Sequence, residues 1–220
     1  LTRRVQVLAF GRPNGICSDA YSPEFPVDCG DVGRYAAFVC DQYARAFGSW
    51  CERFPTMRAA TAILRAKRVM TGGNGGSHAI AAHAAQDWLK IGRIDATPIA
   101  SMESLTAFGN DYGYERSLSY PAVWRGLALG DVLVLFSTSG ASPNVVEAVC
   151  VAEKAKAISI LVTSSDGGGS DAINGSPIIV RAPFSRVQVQ ECEDWFSIWV
   201  HGLARAMQGL SPWHGWENTK

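Results

Sequence analysis

The feature that most constrains this chain is a repeated unit: a short apolar run, a Gly- or Ser-rich turn, then a helical stretch. Arg68-Val-Met-Thr71 runs into Gly72-Gly-Asn-Gly-Gly-Ser77 and a helix from about His78 to Lys90. Thr97-Pro-Ile-Ala100 is a short second strand, ahead of a loop at Phe108-Gly-Asn-Asp-Tyr112 and a helix toward Leu127. Asp131-Val-Leu-Val-Leu-Phe136 leads through Ser137-Thr-Ser-Gly-Ala-Ser142 to a helix from Pro143 to about Lys154. Ala157-Ile-Ser-Ile-Leu-Val162 ends in Ser164-Ser-Asp-Gly-Gly-Gly169, and Pro177-Ile-Ile-Val180 precedes a long helix from about Val187 to Met207. Strands that are apolar throughout are buried on both faces, and helices between them impose parallel pairing. The expected fold is α/β: a doubly wound α-β-α sandwich on a five-stranded parallel sheet.

The flanking segments read differently. Residues 1–33 form a loop-rich arm, marked by Gly11-Arg-Pro-Asn-Gly15 and Ser22-Pro-Glu-Phe-Pro26. Phe38, Val39, Tyr43, Phe47 and Trp50 recur at mostly helical spacing, and Pro55 suits the first turn of a second helix through Leu64. These divisions give an arm (1–33), a helical hairpin (34–66), an α/β core (67–208) and a tail (209–220). Twenty Lys plus Arg balance twenty Asp plus Glu, so no basic excess points to nucleic acid. No apolar run approaches the ~18 residues of a membrane span, and Leu1-Thr-Arg-Arg4 opens no signal peptide. A cytoplasmic, soluble protein is expected. Cys17, Cys29, Cys40, Cys51, Cys150 and Cys192 contain no Cys-x-x-Cys pair, and read as reduced structural thiols.

Ligands of doubly wound sheets bind at the carboxyl ends of the strands, where the unusual loops fall. Ser137-Thr-Ser-Gly-Ala-Ser142 supplies hydroxyls and free amides at a helix N-terminus, a combination that suits phosphate without a cationic side chain. An ordinary N-cap is the alternative for such a turn taken alone. It is not a Walker loop, because no Gly-Lys-Ser/Thr follows, and Gly72 to Gly76 lack the Gly-x-Gly-x-x-Gly spacing of a dinucleotide site.

Gly73-Asn-Gly-Gly-Ser77, Gly109-Asn-Asp-Tyr-Gly113, Gly130-Asp-Val-Leu133, Ser137-Thr-Ser-Gly140 with Ser142-Pro-Asn144, and Asp166-Gly-Gly168 occur in this order. In them the chain resembles the sugar isomerase (SIS) domain family, within it the phosphoheptose isomerases, over about residues 34–208. The resemblance implies a flavodoxin-like sheet, a homotetramer with sites at subunit interfaces, and a phosphorylated seven-carbon sugar as ligand. It implies that Ser77, Ser137, Thr138, Ser139 and Ser142 hold the phosphate and nearby hydroxyls, with Asn74, Gly75, Gly76, Asn110 and Asp111 lining the pocket. The implied reaction interconverts sedoheptulose 7-phosphate and an aldoheptose 7-phosphate through an enediol. In the family a Glu four residues after a His, and a His on the last helix, serve that chemistry, with a metal, often zinc, among them.

Here the first pair is His83 and Asp87, which lie one turn apart on one helix face and can converge on one point. Asp87 is one methylene shorter than the family's Glu. On the last helix the family shows Gln-Glu with the catalytic His eight residues after the Gln. Anchoring on Gln190-Glu191 places Ile198 at the His position; anchoring on His201 places Glu193 at the Gln position. The second register is preferred, because Glu193, Ser197 and His201 form a polar stripe beside the apolar Cys192, Trp199, Leu203 and Met207. The resulting set is Asp87 and His201 as acid/base residues, Glu193 also contacting substrate, and His83, Asp87, Glu193 and His201 as ligands to a divalent ion, zinc by preference.

Two readings stay open. Either these four residues form one site, or the histidines pack and the acids are solvated. At the level of function, the alternative to an isomerase is a non-catalytic SIS module that binds a sugar phosphate or a protein partner such as a replication initiator. His78 is expected at the rim or helix N-terminus, Asp166 in a tight turn, Trp195 and Trp199 in the core or an interface, and His214 in a packing tail. Asn174-Gly-Ser176 matches a glycosylation sequon to which no role is given.

Overall fold

Five short apolar segments pair in parallel in the order β2-β1-β3-β4-β5. The computed structural model describes residues 54–168 and 177–208. The expected arm, the first helix of the hairpin, the tail with His214, the sequon and Cys17, Cys29, Cys40 and Cys51 lie outside them. In chain order the elements are α1 (Phe54–Arg65), β1 (Val69–Gly73), α2 (Gly75–Lys90), β2 (Ala96–Pro98), α3 (Met102–Tyr112), a 3-10 turn (Tyr114–Arg116), α4 (Ser119–Trp124), β3 (Val132–Phe136), α5 (Pro143–Lys154), β4 (Ile158–Thr163), β5 (Ile178–Arg181) and α6 (Val189–Gln208). Among the described residues no helix is long and apolar enough to cross a membrane.

The two-residue period of a strand sends alternate side chains to opposite faces, and both faces are buried. Val132, Val134, Phe136, Ile160 and Val162 pack under α1, α2 and α6. Leu133, Leu135 and Leu161 pack under α4 and α5. On the first face, Trp88 of α2 meets Trp199 of α6 edge-on, with ring centroids 6.2 Å apart. Trp195 and Trp199 are core residues. Fully burying such rings is a main source of the fold's stability, since each removes a large apolar area from water.

One element differs from the sequence reading. Phe108-Gly-Asn-Asp-Tyr112, expected as a loop, is the end of helix α3. Ser101 starts that helix by accepting a hydrogen bond from the Ser104 N–H at 3.3 Å, and Gly109 does not interrupt it. It stops at Gly113, whose φ of 93° is the left-handed conformation that favours glycine. The helix expected toward Leu127 is correspondingly reduced to the 3-10 turn and the six-residue α4.

The strand order places the site. β1 lies between β2 and β3, so successive connections from it diverge to opposite sides of the sheet. Gly73, the last residue of β1, pairs with Phe136, the last of β3. The loops that follow, 74–77 and 137–142, therefore open side by side at the crevice of the switch point. Gly130-Asp-Val-Leu133 serves the other end of the sheet. There Asp131 accepts from Arg68 at 2.6 Å and from the Ala128 N–H at 3.1 Å.

The turn after β4 is pinned from two sides. Arg181 Nη1 donates to the Gly167 carbonyl at 2.6 Å. The Asp166 carboxylate accepts from the Arg186 N–H at 2.6 Å and from the Ser164 hydroxyl at 3.0 Å. The Arg186 N–H is the main cause that holds the Asp166 carboxyl below its ordinary range. Cys192 shows the opposite effect: burial, helped by the nearby carboxylates, pushes its thiol up to about 12, as befits a reduced packing residue. A folded-state value below the unfolded one means that Asp166 adds stability above the ordinary carboxylate range, and that this is lost as pH falls through the folded value. Asp166→Asn is expected to lower Tm at pH 7, with the difference from wild type closing below pH ~4. Calorimetry across that range checks it, and a pH-independent difference would contradict it.

Candidate active site

Helices α2 and α6 lie side by side on one face of the sheet and run in the same direction, meeting at two stations. At the first, the Ser77 hydroxyl donates to Glu193 Oε1 at 3.1 Å. At the second, His83 Nε2 and His201 Nε2 stand 2.9 Å apart, and the Asp87 carboxylate lies 3.4 Å from the former and 3.6 Å from the latter. The i, i+4 spacing puts His83 and Asp87 on one face of α2, as the sequence indicated, and α6 supplies the third group.

His83, Asp87 and His201 offer ligand atoms that all lie within 4.8 Å of one another, as a metal site requires. Donors ~2.0–2.2 Å from one ion are separated by roughly 3 to 3.5 Å, so the spacing suits zinc or a similar divalent cation. Two imidazoles and one carboxylate are a donor set of catalytic zinc sites, which keep a position for water or substrate. The histidine side chains are about half exposed, at 51% and 53%, whereas Asp87 is at 15%. The cluster therefore has an open side. Its rings meet edge-on at 83°.

Glu193, expected in the same set, does not join it. Eight residues are more than two helical turns, about 12 Å along the axis, and Glu193 Oε1 is engaged by Ser77 rather than turned toward the cluster. Glu193 instead covers the start of α2. A Cβ on Gly76 would fall onto its carboxylate, so Gly76 makes room for Glu193. A carboxylate is electrostatically at home there, because unpaired N–H groups give a helix start a positive potential. The cluster also lies away from the rim. His83 is eight residues into α2, about 12 Å from its start.

The turn 137–142 is ordered from below. The Ser137 N–H donates to the Val162 carbonyl at 3.0 Å, and the Gly140 N–H reaches Ser137 Oγ at 3.1 Å. Thr163 Oγ1 donates to the Thr138 carbonyl at 3.2 Å. Gly140, with φ of 62°, packs so closely on Gly168 that a Cβ would lie 2.8 Å from its backbone. Ser142 caps α5 in extended conformation, its side chain makes no cap bond, and Pro143 follows in the first turn. That leaves the Ser142 hydroxyl available to an anion at the helix start.

The remaining expectations sort by position. Asn74 caps α2 in extended conformation, and Gly75 and Gly76 are exposed beside it. Asn110 and Asp111 are exposed on the last turn of α3, where Asn110 Nδ2 donates to Asp111 Oδ1 at 2.9 Å. His78 is in the first turn of α2 but is buried rather than at the rim, and burial lowers its pKa. Two residues were missed. Asn144 and Ser117 are buried directly behind Asn74 and hydrogen-bond in a chain from it. The sequence signal was an amide just inside the start of a helix, in Ser142-Pro-Asn144, but nothing local said that it points inward.

Strand order, a hydroxyl-rich turn at the switch point and a His-Asp-His cluster define the class as a doubly wound α/β domain with a candidate site at its switch point. The SIS domain family matches residues 57–164. A phosphoheptose isomerase of Neisseria meningitidis serogroup C is 36% identical over 149 residues, covering 62% of this chain and 75% of that protein. One from Campylobacter concisus is 33% identical over 155 residues, covering 67% and 79%. The structure of the Neisseria gonorrhoeae phosphoheptose isomerase superposes with a TM-score of 0.71 at 29% identity, covering 82% of this chain and 98% of that one. A phosphoheptose isomerase from Francisella tularensis shares the fold, with a TM-score of 0.72 at 22% identity over 83% and 99% of the two chains. The chain belongs to the phosphoheptose isomerase family and is an isomerase.

Gly76→Ala tests the first station. The clash is with the end of a flexible side chain rather than with backbone, so the variant is expected to fold and to push Glu193 off Ser77. A crystal structure in which the Ser77–Glu193 bond survives would contradict this.

Proposed function

We propose that this protein interconverts sedoheptulose 7-phosphate and an aldoheptose 7-phosphate, as a cytoplasmic step in making an activated heptose. The observation that carries the reading is the convergence of His83, Asp87 and His201 on one point with an open side. Ketose–aldose exchange moves a proton between neighbouring carbons through an enediol, and a second proton between their oxygens. It needs a base and an acid within reach of adjacent atoms. Asp87 and His201 stand 3.6 Å apart at their nearest atoms. One takes the proton from carbon while the other handles the oxygen, and they return the protons in the reverse sense, so the net change is zero. His83 stands against His201 and holds it in place.

The turn 137–142 is suited to the phosphate, with Ser137, Thr138, Ser139 and Ser142 as its donors. Asn74, Ser77, Glu193, Asn110 and Asp111 are assigned to the sugar hydroxyls. With an ion bound, His83, Asp87 and His201 would hold a zinc or similar cation, which would supply Lewis-acid polarisation of the carbonyl and enediol oxygens, and the Asp87 oxygen not on the ion would be the one left to move a proton. Exposed histidines are a poor setting for an enediol, which water would protonate. A homotetramer that covers the cluster at a subunit interface answers that need. Retention of both histidines, facing each other, supports catalysis over a purely binding module.

Purified protein incubated with sedoheptulose 7-phosphate, with and without zinc, is expected to form an aldose signal by NMR. His201→Ala is expected to lose about 10²–10⁴-fold in rate. His83→Ala is expected to lose bound metal, measured by mass spectrometry of the intact protein. No turnover by native, folded protein in either condition would overturn the assignment.

A further inference from the structure

We infer that Asn144 is a positioning residue for the reaction: it locks the Asn74 amide and thereby ties the sugar-side loop to the phosphate turn. The inference rests on the isomerase reading and adds to it a residue with no substrate contact of its own. Asn144 is the second residue of α5 and fully buried. Its Nδ2 donates to Asn74 Oδ1 at 2.8 Å, and its Oδ1 accepts from Asn74 Nδ2 at 2.9 Å. The second Nδ2 hydrogen goes to Ser117 Oγ at 3.0 Å. Both donors of the buried amide are thus used, as burial demands.

Two opposed hydrogen bonds fix a planar amide in its own plane, which one bond does not. Asn74 is only half-buried, and it keeps one N–H and one oxygen lone pair outside the pair, aimed by Asn144. An Asn at the start of a helix ordinarily turns its oxygen onto the first helical amides. Here Asn74 makes no such side-chain bond, because its side chain is engaged by Asn144. The same pair spans the switch point. Asn144 lies two residues beyond Ser142, and Asn74 lies three before Ser77. Holding the amides together therefore holds the phosphate turn and the sugar loop at a set separation. Small errors in such separations cost rate steeply.

The test is a double-mutant cycle on the full-length protein with sedoheptulose 7-phosphate: Asn74→Ala, Asn144→Ala and the double variant. Asn144→Ala is expected to lower kcat/KM of the folded enzyme about 10- to 100-fold. The double variant is expected to fall no further than about threefold below Asn74→Ala, since both act through one amide. Losses that multiply would overturn the inference. So would a Tm shift with unchanged kcat/KM, which is the mark of a merely structural role. Ser117→Ala trims only the outer end of the chain and covers the case in which Asn144→Ala does not fold. It is expected to lower kcat/KM a few-fold in the wild-type background and not in Asn74→Ala; equal loss in both would refute the coupling. Absence of turnover by the wild type would instead overturn the isomerase reading, and the inference with it.

Discussion

Everything at this site depends on the parallel pairing of β1 with β3. That ladder sets Gly73 beside Phe136, and so brings together two loops more than sixty residues apart in the chain. Because β2 pairs on the other side of β1, the connections leave the crevice clear. The two loops then approach from separate elements, and a buried amide pair joins them. A polar pair of this kind tolerates little change, because removing Asn74 leaves the fully buried Asn144 amide short of partners.

The second dependence is on the seam of α2 and α6. Both bury an apolar stripe on the same sheet face, and Trp88 and Trp199 fill the space between them and the strands. That packing sets the helices' relative height, and the relative height decides which polar residues meet. One station pairs an acid with a hydroxyl at the helix start; the other gathers two imidazoles and a carboxylate. The polar residues are thus spread along a line. The Gly- and Ser-rich turns and helix starts lie at the rim, and the His83, Asp87 and His201 cluster lies lower, with both histidines about half exposed.

Much of this was legible in the residues. The apolar runs, each followed by a turn and a helix, specify five buried strands, because a segment apolar on both faces has nowhere to lie but inside a covered sheet. The i, i+4 pair His83 and Asp87 follows from helical geometry, and the choice of His201 over Ile198 follows from keeping polar groups on one stripe. Other features were not legible. Gly109 looked like a loop residue, yet the cap at Ser101 and the stop at Gly113 carry the helix past it. Glu193 stood at the position of the family's Gln, and the stripe that chose this register records direction around a helix but not reach along it.

Sequence alone determined the fold class, the place of the Gly- and Ser-rich loops at the strand ends and the identity of the family, since period, turn chemistry and motif order are local properties. Tertiary structure decided which of the polar residues meet. His83, Asp87 and His201 are joined, Glu193 goes to Ser77, and Asn144 to Asn74 and Ser117. Those pairings depend on how far one helix slides along another and on which strand lies next to which. Such distances are set by the packing of buried side chains between elements remote in the chain, and no local pattern encodes them.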